Sequence, residues 1–172
     1  CWSLTPAVET SQNFQNFWNS NETRLSNVKD TMRSHRFLDK IAIADVAFEA
    51  RGETPEELLL AAADALIATI ADPSTIQPRQ QHVVQLTKLN LSELLFAWLS
   101  ELVFLKDAEA MVFCDTDVTV QEGTPWELSA RVRGDSVQNN HRLGSDVKAV
   151  TKHMYDVSHD GNEWVALVVL DI

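Results

Sequence analysis

The end of the chain carries residues that could bind a metal ion, because two carboxylates meet there. Asp171 follows the apolar stretch EWVALVVL, and Ile172 adds a terminal carboxylate. Alternation along a strand would place Asp171 in a row with Leu167 and Val169, which are apolar. An unpaired buried carboxylate is costly, so Asp171 must reach solvent, pair with a cation or bind a metal. From these residues alone, a solvated strand end is the simpler interpretation.

Other residues capable of chemistry have plainer explanations. Cys114, in MVFCDTD, lies in the middle of a predicted strand without a basic neighbour, which indicates a half-buried thiol and not a nucleophile. Asp115 and Asp117 share a strand face and could hold a metal, although such alternating acids are usually a solvated face. The five histidines do not fall at zinc-ligand spacings. Dinucleotide, P-loop and serine-hydrolase motifs are missing from the sequence.

The composition excludes several classes of function. The chain has 172 residues, of which 45% are hydrophobic, and this suffices for one domain with a core. It has no apolar run of the roughly 18 residues that a membrane span needs. A net charge of −11, with 14 scattered Lys and Arg, argues against direct binding to nucleic acid. Two distant cysteines predict no disulfide framework, and a reducing cytoplasm fits best.

A polar segment precedes the elements that must position these residues. Residues 1–31 are rich in Asn, Ser and Thr and show no sustained periodicity, so we expect a disordered N-terminal extension before a domain over residues 32–172. The first helix is predicted over 54–72, with Thr54 as N-cap and Glu57 completing a capping box.

The second helix, predicted over 90–106, carries the strongest periodic signal. Its apolar residues recur on one face. They predict a buried core of Leu94, Leu95, Trp98, Leu99 and Leu102. The remaining segments resemble strands joined by tight turns, and SHDGN marks one hairpin. Together they predict an α+β sandwich of two helices packed with a mainly antiparallel sheet.

Several of these segments, taken in order, resemble the archease family. ADVAFEARGETPEELLLAAADAL is similar to the opening strand and capped helix of that family, and LLFAWLSELVFL to its second helix. GSDVKAVTKHMYDV is similar to its Gly-x-Glu-Val-Lys-Ala signature, and WVALVVLDI to its terminal strand. The resemblance runs from about Phe37 to Ile172. It implies the family's α+β fold over this range.

The resemblance also implies a function. Archeases assist RtcB-type RNA ligases in tRNA splicing or RNA repair by promoting guanylylation and multiple turnover, without being the ligase. The implied metal ligands are Asp45, Asp171 and the carboxylate of Ile172, and the lysine implied in activation is Lys148. Three oxygen donors suit Ca²⁺ or Mg²⁺, with Mn²⁺ as a further candidate. Lys148 could balance the carboxylates or contact a phosphate bound to the ligase. RNA would be reached only through that partner.

One departure from the family pattern concerns the residues before Ala44. The family has Asp/Glu-His-Thr there, whereas this chain has Ile41 to Ile43. A shift by two residues preserves strand parity and would let Asp39 replace the acid. Two alternatives therefore stay open. One is a small metal-dependent hydrolase or nuclease, although no general base adjoins the acids, and the other is a diverged archease with another client.

Overall fold

The computed structural model describes residues 32–38, 45–139 and 141–172. Within these ranges the elements are, in order, β1 (Ser34–Leu38), β2 (Asp45–Gly52), α1 (Pro55–Ile70), β3 (Gln80–Lys88), α2 (Leu91–Ala108), β4 (Met111–Gln121), β5 (Trp126–Ser136), β6 (Ala149–His159) and β7 (Trp164–Asp171). A short 3-10 turn, Pro73–Thr75, follows α1. The predicted extension over 1–31 and Asp39 lie outside the described residues, so both stay predictions.

The strands form two antiparallel sheets. One has four strands in the order β1-β2-β7-β6, and the other has three in the order β3-β5-β4. Each helix contacts strands of both sheets, α1 chiefly through β2 and β4, and α2 chiefly through β6 and β3. The helices therefore connect the two sheets through one core. The predicted α+β class is confirmed, with the strands divided between two sheets.

Most residues of the first helix are buried because it packs against both sheets. Its core-facing residues include a run of alanines over 61–63, and these small side chains let strands approach the helix closely. The Oγ1 atom of Thr54 accepts a bond of 3.2 Å from the backbone N–H of Glu57. The Glu57 carboxylate accepts one of 2.8 Å from the N–H of Glu53, which completes the predicted cap. α1 ends at Ile70, before the predicted 72, because Ala71 is already extended.

The second helix supplies the largest buried side chain of the core, that of Trp98. All five residues predicted to be buried, including Trp98 and Leu99, are fully buried. The indole N–H of Trp98 donates to the carbonyl of Leu59 over 3.2 Å and so joins α2 to α1. The helix begins after Asn90, whose side chain accepts from the N–H of Glu93, and it ends two residues later than predicted. No helix in the described ranges is long and apolar enough to span a membrane.

A large β-bulge interrupts β6, an edge strand of the four-stranded sheet. Residues 152–155 of β6 stand opposite Val168 alone on β7. Met154 adopts a φ of 55°, which turns the backbone at this point. The hydroxyl of Tyr155 donates to the carbonyl of Ser92 over 2.7 Å, and burial raises the pKa of Tyr155 to about 12. The bulge is thereby attached to the start of α2.

Replacement of the central tryptophan tests this core. Trp98→Ala removes a fully buried side chain and its bond to α1. We expect it to lower the free energy of unfolding by about 3–5 kcal/mol in chemical denaturation. Phe104→Ala is the matched control on the same helix, because Phe104 is 57% exposed. An equal loss in both variants would contradict the assignment of the core.

Candidate metal centre

The register between β2 and β7 places two carboxylates opposite each other. Asp45 is the cross-strand partner of Asp171, and both residues are half-buried. Directly opposed residues of an antiparallel pair point to the same face, with Cβ atoms about 4.5–5.5 Å apart. Like charges in this position repel each other. The two aspartates far apart in the sequence therefore meet, as the resemblance implies.

The residues that the structure describes provide no compensating cation. No Lys, Arg or His among them lies within ion-pair distance of Asp45 or Asp171. Opposed carboxylates of this kind offer the oxygen donors that hard divalent cations prefer. The described part of the chain contains no group of three or more His, Cys, Asp or Glu suited to a metal. Two side chains therefore fit a cation only with a further ligand.

The further ligand that the family resemblance implies is the terminal carboxylate of Ile172. The Ile172 side chain is half-buried and packs against the core, so the backbone next to Asp171 is held in place. Its carboxylate follows Asp171 by one residue. Two aspartates and this group would offer oxygen donors alone, the kind of ligand that Ca²⁺ and Mg²⁺ prefer and zinc does not.

Lys148 joins this site through its backbone. Its N–H donates to the carbonyl of Asp171 over 2.8 Å, and the next residue, Ala149, pairs with Asp171 in the sheet. Its side chain is exposed and lines a groove together with Ala149 and Val150. The ammonium group makes no ion pair with Asp45 or Asp171 within the described residues. The structure brings the two aspartates together and leaves the lysine unpaired with them.

The segment that leads to Lys148 is fixed by the end of α1. The N–H groups of Gly144 and Ser145 each donate over 2.8 Å, to the carbonyls of Ile70 and Thr69 respectively, which have no partners within the helix. A Cβ on Gly144 would lie 2.4 Å from the Thr69 carbonyl oxygen, so only glycine fits. This contact explains the glycine of the GSDVKAV motif.

Two further contacts hold the same segment. The Val147 side chain is fully buried. Asp146 accepts a hydrogen bond of 2.8 Å from the ammonium of Lys106 on α2. This bond holds the pKa of Asp146 below its usual value, and Lys148 adds a smaller electrostatic effect. Lys148 is consequently presented by a segment anchored on both helices.

The other candidate groups have structural roles. Asp115 and Asp117 both accept hydrogen bonds from the guanidinium of Arg133, and the bond to Asp117 is 2.8 Å long. The bond to Asp117 raises the pKa of Arg133. The acids on β4 are therefore neither free for a metal nor merely solvated. Cys114 is half-buried, and this burial raises the pKa of its thiol. Its interpretation as an unreactive thiol agrees with this environment.

One buried polar cluster was not predicted from the sequence. His141 and Asp135 have side chains only 4% exposed, with the imidazole Nε2 atom 3.4 Å from the carboxylate. The Nδ1 atom lies 3.3 Å from the carbonyl oxygen of Thr75, and Arg79 contacts Asp135 at 3.3 Å. The cluster fastens the β5–β6 connection to the 3-10 turn. Hydropathy patterns carry no signal for it, because Asp135 lies near the end of β5 while its partners lie in polar segments outside the sheets.

The opposed aspartates allow a test without any metal. In the presence of a chelator, Asp171→Asn removes the repulsion with Asp45. We expect it to raise the free energy of unfolding by about 0.5 kcal/mol in urea denaturation. The matched control is Asp117→Asn, which should destabilise the protein because it breaks an ion pair with Arg133. If Asp171→Asn instead lowers the free energy of unfolding, the two aspartates do not repel each other in the metal-free protein.

Comparison with known proteins identifies the family. The sequence model of the Archease protein family matches residues 35–172. Protein archease of Methanopyrus kandleri is 34% identical over 131 residues, which cover 75% of this chain and 94% of that protein. Protein archease of Methanothermobacter thermautotrophicus is 30% identical over 142 residues, 82% of this chain and 100% of that protein. The solution structure of Methanobacterium thermoautotrophicum protein 1598 superposes with a TM-score of 0.68 at 28% identity, covering 80% of this chain and 98% of that one. The chain belongs to the archease family.

Proposed function

We propose that this protein activates an RtcB-type RNA ligase, promoting its guanylylation and repeated turnover, and that it is not itself the catalyst. The observation that carries the proposal is the opposition of Asp45 and Asp171, next to the backbone of Lys148, in a chain of the archease family. These residues form one site at the end of β7. The site offers acidic oxygen ligands from Asp45 and Asp171 and, beside them along the backbone, a lysine that makes no ion pair among the described residues.

The proposed metal is Ca²⁺ or Mg²⁺, with Mn²⁺ as a further candidate. Asp45, Asp171 and the carboxylate of Ile172 would hold it, because these anions are close together and lack a protein cation among the described residues. When bound, such an ion supplies positive charge that neutralises the carboxylates and attracts further oxygen ligands. Asp45 and Asp171 would hold the ion at a place that solvent reaches in part, since both side chains are half-buried.

The proposed role of Lys148 is to contact a phosphate bound to the ligase. A lysine is a compact, mobile point charge, which suits an oxyanion presented by a partner. The ammonium is available for this contact because it makes no ion pair among the described residues. The RNA would then be bound by the ligase and not by this protein. The net charge of −11, which opposes direct binding of RNA, agrees with this arrangement.

A hydrolase or nuclease built on the same carboxylates receives no support from the surroundings of the site. Such an enzyme needs a nucleophile or general base beside the metal ligands. The other candidates, Cys114, Asp115 and Asp117, lie on β4, which belongs to the other sheet. The two acids there are already bound to Arg133.

A change at the C-terminus tests the metal ligands. Two residues appended after Ile172 convert the terminal carboxylate into a neutral amide and move the charge away from Asp171. We expect the affinity for Ca²⁺ or Mg²⁺ to fall by roughly tenfold or more in calorimetric titration, because one anionic ligand is lost. The same two residues added at the N-terminus should leave the affinity unchanged. Equal affinities in the two forms would show that the terminal carboxylate is no ligand.

Replacement of the lysine tests activation. Lys148→Ala should lower the maximal stimulation of ligase guanylylation by about tenfold or more in a reconstituted assay, because it removes one contact to a charged group. The melting temperature should stay unchanged, since the side chain is exposed. Lys152→Ala is the control on the same strand, because Lys152 already lies over the Phe96 ring at 5.0 Å. Full stimulation by Lys148→Ala would contradict the proposed role.

A further inference from the structure

An open groove runs between α2 and the start of β6. Its volume is about 530 Å³. Its walls are formed by one side of the helix and by the first residues of the edge strand, and they include Phe96, Val103, Phe104, Lys148 and Val150. The walls are mainly apolar, and Ala149, which also lines the groove, is the cross-strand partner of Asp171. The groove therefore lies beside the candidate metal centre along β6, and Lys148 belongs to both.

Phe104 makes this groove unusual for a surface. Its side chain is 57% exposed, whereas Trp98 and Leu102 on the same helix are fully buried. Exposed aromatic side chains in a concave apolar setting are typical of a contact surface. Phe96 is held in place at the other end by an edge contact with Tyr155, with ring centres 5.5 Å apart. The groove thus has one fixed aromatic wall and one exposed aromatic residue.

The dimensions of the groove indicate the shape of its occupant. The helix residues along it extend from Phe96 to Asp107, which corresponds to about 16 Å at 1.5 Å per residue. An extended peptide covers this length with about five residues at roughly 3.3 Å each. A short extended segment fits such a channel better than the convex surface of a folded domain does.

The charges of the groove indicate the chemistry of that segment. Asp107, on one rim, is already paired with Lys106. Lys148, on the other rim, makes no ion pair with any residue in the described ranges. A carboxylate next to an apolar side chain would therefore complement the groove. A second copy of this chain is disfavoured as the occupant, because each copy carries a net charge of −11.

We infer that this groove docks an extended segment of the ligase, with an apolar side chain against Phe104 and a neighbouring carboxylate on Lys148. The inference rests on the proposed function and adds the surface through which the partner binds. In this inference, the Phe104 side chain contributes to the affinity for the ligase. Lys148 acts in activation and also pairs with the docked segment.

The test is a titration of the full chain into the guanylylation assay, recording both the half-maximal concentration and the maximum. Phe104→Asp should raise the half-maximal concentration by about tenfold or more, because it puts a charge in the apolar contact. The maximum at saturation should be retained. Val83→Asp is the matched control, since Val83 is 48% exposed on the other sheet. Its half-maximal concentration should equal that of the unchanged protein.

Three results would overturn the inference. If Phe104→Asp and Val83→Asp have the same half-maximal concentration while the unchanged protein stimulates the ligase, docking in the groove is wrong and the proposed function stands. If light scattering shows a dimer that Phe104→Asp dissociates, the occupant is a second copy. If the unchanged protein gives no stimulation, the proposed function fails and the inference fails with it.

Discussion

The pairing of β7 with β2 on one side and β6 on the other is the constraint on which the site depends. A shift by one residue would move Asp171 away from Asp45 and turn it to the other face. The register is fixed by the inner face of the sheet, where Phe48 lies opposite Val168 and both are fully buried. The position of two charged side chains thus follows from apolar packing on the opposite side of the same strands.

The second constraint is the burial of the C-terminal end of α1. Thr69 and Ile70 are buried there, so the last carbonyl groups of the helix need partners within the protein. The backbone of Gly144 and Ser145 satisfies two of them, and this contact determines where the following residues begin. Lys148 is therefore attached to the most deeply buried helix of the domain. Stability of the core and presentation of the lysine are coupled.

Much of the fold could be predicted from local patterns. The cap at Thr54 and the buried face around Trp98 depend on neighbouring residues, and both were predicted from the sequence. The division of the strands between two sheets depends on pairing between distant segments, which periodicity does not specify. The same holds for Arg133, whose binding of Asp115 follows from the β4–β5 register. Asp45 was identified through the resemblance alone, because no local pattern links it to Asp171.

The bulge in β6 has a consequence for the behaviour of the protein at high concentration. An edge strand with a long regular backbone is a template for aggregation with other chains. Here the regular part of the edge before residues 152–155 covers only Ala149 to Thr151. Lys152 then adds a positive charge, and Met154 reverses the backbone conformation. The bulge thus divides the edge into two short regular parts, Ala149–Thr151 and Asp156–His159, which hinders strand-to-strand growth from it.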